Sequence, residues 1–430
     1  MYHRRCFPKF LALFFLLIAD SVIAQVADSV YKSNIKTVRF HNYNDQLSMP
    51  VLNLAGSQQV ELHFDDMNGG IKYYYYTFQL CDINWRPVNV SQFDYIKGYT
   101  QIRINNYRFS SITFSKYTHY QAIIPDRNSA PSKSGNYLLK VFLDGDTSKL
   151  AFTKRLLVVE NRSVISGTVV QPFKPQYFRT HQRVKFNINI QGLNAFSASQ
   201  QVKVVILQNN RWDNAITNIP PTFVRGNSLE YDTENKTIFP AGKEWRWLDI
   251  RDFHLQSDRV ERAEYKKTST DVYVRPDVDR SGERYVYFRD FNGLYYIETT
   301  QSVNPFWQSD YGLVHFNYSP PEGKEITEKN IYVFGQLTDY ALTDSLKMKY
   351  NSLKRMYEIS ISLKQGFYNY TYLLVDKNNP ADRSSVEGNY YEAENVYTIL
   401  VYYKAFAGRA DELIGIGTLN SRTDRPGVSF

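Results

Sequence analysis

Residues 284–299 read RYVYFRDFNGLYYIET. Asn292-Gly293 stands between two aromatic runs. A two-residue type I′ turn needs positive φ at both central positions, and Asn-Gly supplies it at least cost. The stretch therefore predicts a hairpin in which Phe291 faces Leu294, Arg289 faces Tyr296 and Phe288 faces Ile297. The same residue types run through the whole chain. Its 430 residues include 35 Tyr and 27 Phe, and aromatics reach 16%. Aromatic and β-branched side chains fit the pleated, half-buried surface of a sheet, so the fold class is all-β. A helical bundle and a coiled coil are excluded. A hydrophobic fraction of 43% against 22% charged residues argues against a disordered chain.

Period-two patterns recur outward from that hairpin. Val60, Leu62 and Phe64 alternate with Glu61, His63 and Asp65, and Asn68-Gly69-Gly70 then predicts a hairpin into 71–81. Residues 137–143 and 156–159 complete a first block. Val184, Phe186, Ile188 and Ile190 alternate with polar residues, with 202–207 as the return strand. Tyr357, Ile359, Ile361 and Leu363 lead through Gln365-Gly366 into FYNYTYLLV, a further hairpin, and 396–403 closes the last block. One or two helical turns fit Asp258–Glu264. Beyond Ala407 the pattern stops and the segment turns Gly-rich and polar. The expected organisation is serial antiparallel β-sandwiches of immunoglobulin-like or early-set-like type. They occupy 25–160, 161–308 and 309–405, followed by a flexible C-terminal tail at 406–430.

The first 24 residues read as an address. Arg4, Arg5 and Lys9 precede an apolar run from Phe10 to Ala19, and Val22-Ile23-Ala24 offers small residues before Gln25. This predicts a signal peptide cleaved between Ala24 and Gln25. The run is too short for a bilayer anchor, and no later run approaches the ~20 apolar residues of a spanning helix. Cys6 precedes the apolar run, so the signal is not of lipoprotein type. Cleavage removes three bases and one acid, so a net charge of +8 becomes +6. Cys81 is then the lone thiol. No internal disulfide can form, and Cys81 reads as a buried small hydrophobe.

Motifs that would mark an enzyme are missing: there is no HExxH, GxSxG, P-loop or CxxC. His41, His63, His119, His181, His254 and His315 are scattered singly, and their spacing asks for no metal. Asp277, Asp279 and Ser281 with Gly282 copy the opening of a calcium loop. The twelfth position is Phe288 rather than Glu, so a polar turn is the expected reading. Asp65 and Asp66 are adjacent on a strand and point to opposite faces, which spoils them as a glycosidase pair. No cofactor or small-molecule substrate is implied. Bases form no block of five, and export argues against nucleic acid. An acidic partner or lipid headgroups are the functional alternative to a merely solvated surface. Phe430 resembles the last residue of an outer-membrane barrel, but Pro426 and Gly427 stand where its final strand would be.

Five stretches in order, CDINWRPVNVSQFDYIKGY (81–99), SGNYLLKVF (134–142), QNNRWDNAI (208–216), FPAGKEWRWLDI (239–250) and RYVYFRDFNGLYYI (284–297), resemble the type IX secretion system plug protein family of the Bacteroidetes. The resemblance implies a non-enzymatic periplasmic protein, peripheral at the inner face of the outer membrane. Its partner would be the outer-membrane translocon β-barrel, whose periplasmic mouth it closes when cargo is not engaged. No contact residues carry over. Residues 332–340 (YVFGQLTDY) and 363–376 (LKQGFYNYTYLLVD) resemble the early-set domains that accompany glycogen-active enzymes. Those bind glucan through exposed Trp, and none of Trp85, Trp212, Trp245, Trp247 and Trp307 lies in 331–376. A periplasmic carbohydrate-binding or processing protein is the alternative function.

Overall fold

The structure is a computed structural model that describes residues 27–190, 193, 197–379 and 383–426. The expected leader, its cleavage site at Ala24 and Gln25, and Phe430 lie outside these residues. Strands dominate, and the α-helices among the described residues are single turns, Ala198–Gln201 and Pro305–Gln308. No helix among them is long and apolar enough to cross a membrane.

In the first sandwich, Val60–Asp66 lies between Ile35–Asn42 and Thr118–Ile124, with Asn106–Phe109 at the edge. The opposing sheet places Gly135–Leu143 between Tyr74–Cys81 and Leu150–Val159. Val60, Leu62 and Phe64 meet Tyr74, Tyr76 and Phe78 in the core. The expected hairpin from 60–64 into 71–81 therefore does not form. Gly69 and Gly70 make the turn with φ of 66° and 72°, but it carries the chain from one sheet to the other. Asp66 secures the crossing by accepting from Asn34 Nδ2 and Lys72 Nζ at 2.6 Å and from the Tyr74 hydroxyl at 2.9 Å.

The second sandwich is discontinuous in sequence. One sheet holds Val164–Val170, His181–Asn189, Phe223–Arg225, Ser228–Tyr231 and Ile238–Pro240. The other holds Val202–Gln208, Val396–Tyr403 and Glu412–Asn420. Residues 202–207 thus face 184–190 across the core rather than pairing with them, and 396–403 closes this body rather than the third. The expected tail is also corrected: Glu412–Asn420 is a full strand, with Leu413 and Ile414 wholly buried. Its glycines mark close packing, not mobility. A Cβ at Gly417 would lie 2.8 Å from Ile165 Cγ2, and one at Gly415 would collide with Ser163 Oγ.

The third sandwich is inserted between those two parts. Arg246–Asp249, Tyr295–Ile297, Lys329–Phe334 and Arg383–Ser385 gather around the long strand Gly366–Asp376. The facing sheet runs from Val260–Tyr265 and Thr270–Val274 through Tyr311–Ser319 and Met356–Lys364 to Lys349–Asn351. Residues 246–300 belong here, so the expected boundary near 308 falls inside one body, and the helical turn expected at 258–264 is a turn leading into the strand Val260–Tyr265. Gln365-Gly366 is again a crossing between sheets. The Asn292-Gly293 turn forms as read, with φ of 53° and 83° and Leu294 N donating to Phe291 O at 3.0 Å. Its first arm does not become a strand. Asn369 Oδ1 takes the Phe291 N–H at 2.5 Å, and Tyr295–Ile297 pairs with Gly366–Tyr368 instead, so Phe291 faces Leu294 across the turn but the Arg289–Tyr296 and Phe288–Ile297 pairs are not made.

Candidate functional site between the first and third sandwiches

Alternation in Val60–Asp66 sends Glu61, His63 and Asp65 to the face opposite the core. Register adds the neighbours: Arg39 beside His63, His41 beside Glu61, and His119 beside Asp65. A polar patch of six residues results, each at most 6% exposed, because the third sandwich covers it. Asn304 Oδ1 accepts from Phe306 N and starts the helical turn Pro305–Gln308. Phe306 then stacks on His63, with ring centroids 3.8 Å apart and planes within 2°.

Asp65 is the hub. It accepts from His119 Nδ1 at 2.7 Å, from the Tyr311 hydroxyl at 2.6 Å and from Lys364 Nζ. Burial pushes its carboxyl up, but Lys364 and His119 outweigh that and hold it below the usual range. His119 Nε2 in turn meets His63 Nδ1 at 3.0 Å. Burial drives the His63 and His41 imidazoles down to about 4. Arg39 donates to Gln336 Oε1 and to Tyr295 O, both at 2.8 Å. Gln46 bonds both backbone groups of Ile297 as a strand would. Asp310 accepts from Phe114 N and Ser115 N at 2.7 and 2.9 Å.

The other outer face of the first sandwich is different. Leu157 and Val159, with Ile83, pack on Val205, Leu207, Leu400, Tyr402 and Leu413 of the second. The second and third bodies also touch. Arg211 lies 5.0 Å over the Phe334 ring. Each sandwich therefore rests on the other two. Where they meet is a cavity of about 310 Å³ lined by Arg39, Lys154, Arg155, Trp212 and Tyr340 among others. Two of its cations are paired with carboxylates: Arg155 with Asp28, and Lys154 with Asp339 at 2.8 Å. What this arrangement does chemically is fix three bodies as one around imidazoles that burial keeps neutral.

Asp277 is not brought together with Asp279 and Ser281. The buried Asp277 carboxylate accepts from Arg246 at 2.6 Å, from the Tyr370 and Tyr372 hydroxyls at 2.8 Å, and from Arg259. Asp279 accepts from Ser281 N at 2.7 Å in an exposed turn. Asp65 and Asp66 do face opposite ways. Cys81 is buried as read, and burial pushes its thiol up to about 12. Sequence reading missed the gathering of His41, His63 and His119. The available signal was the outward set Glu61, His63 and Asp65, but only register brings in the other two strands.

Residues 35–160 match the family model of the type 9 secretion system plug protein 1st domain. The match spans the first sandwich. A crystal structure of a hypothetical protein from Parabacteroides merdae is 29% identical, with a TM-score of 0.87 over 92% of this chain and 99% of that one. No curated protein matches. The structural likeness extends well beyond the plug-family domain, so the mutual placement of all three sandwiches recurs there.

Proposed function

We propose that this chain is a non-enzymatic periplasmic component of type IX secretion that binds the periplasmic mouth of the outer-membrane translocon barrel and closes it when no cargo is engaged. The observation that carries this reading is the plug-family domain at residues 35–160. Physical form supports it. A plug must be broader than its pore and hold its shape under load, and three sandwiches each braced on two others make such a body. The contact must also release, which calls for separate apolar anchors in a polar surround rather than a core-like face. The largest of the fully buried side chains are tyrosines, so many of the tyrosines serve the cores. Exposed anchors on the plug-family domain include Phe93, Tyr99, Ile112 and Phe114.

Deleting the gene for this protein is expected to make the envelope leakier to large antibiotics and dyes, with some secretion persisting. The leak should vanish when the translocon barrel is deleted too. A leak that survives barrel deletion would overturn the reading, as would glycan binding or cleavage by the purified protein without the barrel.

A further inference from the structure

Three buried Lewis bases converge beside the contact with the third sandwich. One ring nitrogen of His41, one of His63 and a carboxylate oxygen of Glu61 all lie within 4.8 Å of one another. Both Nε2 atoms are buried without a hydrogen-bond partner, and both histidines are 1% exposed. Protons can be placed from the partners. An Asp65 carboxylate only accepts, so His119 Nδ1 carries hydrogen and donates at 2.7 Å. Neutral His119 then accepts at Nε2, so His63 donates from Nδ1 at 3.0 Å. That leaves His63 Nε2 a bare lone pair. The Asn42 carbonyl also only accepts, so His41 donates from Nδ1 at 2.9 Å and its Nε2 is bare as well.

Two lone pairs and an anion side by side repel unless a positive charge sits among them. One proton satisfies one nitrogen and leaves the other orphaned, whereas one ion satisfies all three. His63 Nε2 is 3.2 Å from Glu61 Oε1 yet makes no hydrogen bond to it, so the oxygen is off the line a proton would take. Two ligands at ~2.0 Å from a tetrahedral ion stand about 3.3 Å apart and off that line. The surroundings are those of a metal's outer shell, in which each ligating imidazole donates its other N–H to a fixed acceptor. His41 donates to a backbone carbonyl, and His63 does so through His119 to Asp65.

We propose that His41, His63 and Glu61 bind one divalent transition-metal ion, with Zn²⁺ the best match to a two-imidazole, one-carboxylate set whose fourth position is filled by water. The site stands apart from the plug reading. Its role is structural. The ion fixes the His63 ring on which Phe306 stacks, and so couples metal loading to the seating of the third sandwich.

The test uses the full mature chain, stripped with chelator and titrated with Zn²⁺ by calorimetry, with metal content by mass spectrometry and Co²⁺ as optical probe. One Zn²⁺ per chain, a raised Tm and tetrahedral Co²⁺ bands are expected. His41→Gln and Glu61→Gln should each weaken binding at least 100-fold. His119→Gln, which touches no ion, should weaken it by about 10–100-fold, and His254→Gln should change nothing. Should the ligand variants fail to fold, wild-type stoichiometry and the Co²⁺ spectrum decide. Failure of the wild-type chain to bind stoichiometrically at micromolar Zn²⁺, or binding unchanged in folded His41→Gln, would overturn the proposal.

Discussion

The first sandwich is held on its two outer faces by opposite means. Toward the second body it presents Leu157, Val159 and Ile83 to an apolar surface. Toward the third it presents Asp65, His63 and Arg39 to Lys364, Phe306 and Tyr295. The first contact depends on area, is non-directional and is indifferent to pH. The second depends on geometry. A buried ion pair gains little over well-packed apolar residues, yet breaking it leaves an uncompensated charge. One body therefore carries a forgiving joint and an exacting one.

The sharpest way to break this contrast is Lys364→Met. Lys364 and Asp65 are both 1% exposed at the side chain, so losing the cation is expected to cost about 3–5 kcal/mol by urea unfolding. Lys364→Met with Asp65→Asn should cost less than Lys364→Met alone. A double variant no better than the single would show that shape, not charge, holds this joint. On the apolar side, Leu207→Ala is expected to cost about 3 kcal/mol, equally at pH 7.5 and pH 5.5. A marked pH dependence there would erase the distinction.

Acid should act on the exacting joint alone. His41 and His63 sit at about 4 when folded, against 6.5 ordinarily. Their neighbours in the patch are Arg39, Glu61, Asp65 and His119. Above pH 6.5 both states are neutral and nothing is gained or lost. As pH falls, the unfolded chain takes up protons that the folded chain refuses, so stability drops between pH 6.5 and 4. In the chelator-stripped chain each histidine is expected to remove about 1 kcal/mol by pH 5.5. A flat urea midpoint over that interval would contradict the buried neutral imidazoles. The smallest effect belongs to Cys81→Ala, away from both joints, at about 1 kcal/mol. The native thiol should resist iodoacetamide at pH 8 and react once unfolded.

Strand positions and fold class were legible in the sequence because alternation reports which face of a strand is apolar. It does not report what lies beside the strand. Val60–Asp66 and 71–81, 184–190 and 202–207, and 357–363 and 367–375 all read as neighbours, yet each pair faces across a core. A turn such as Asn68-Gly69-Gly70 bends a hairpin and a sheet crossing alike. The histidine cluster was hidden for the same reason. His41, His63 and His119 stand 22 and 56 residues apart in sequence, and register alone unites them. Gly415 and Gly417 misled differently: glycine marks close approach as readily as freedom.

The divided second sandwich sets the order of folding. Val202–Gln208 has no sheet partner until Val396–Tyr403 has emerged, nearly the whole third body later. The third body can close on its own strands first, while the second waits with an open edge. Long-range pairing of this kind folds slowly and leaves unpaired edges exposed to aggregation. A chain cut short after residue 395 loses two of the three strands in that sheet, and with them the surface on which the first body's apolar joint is made.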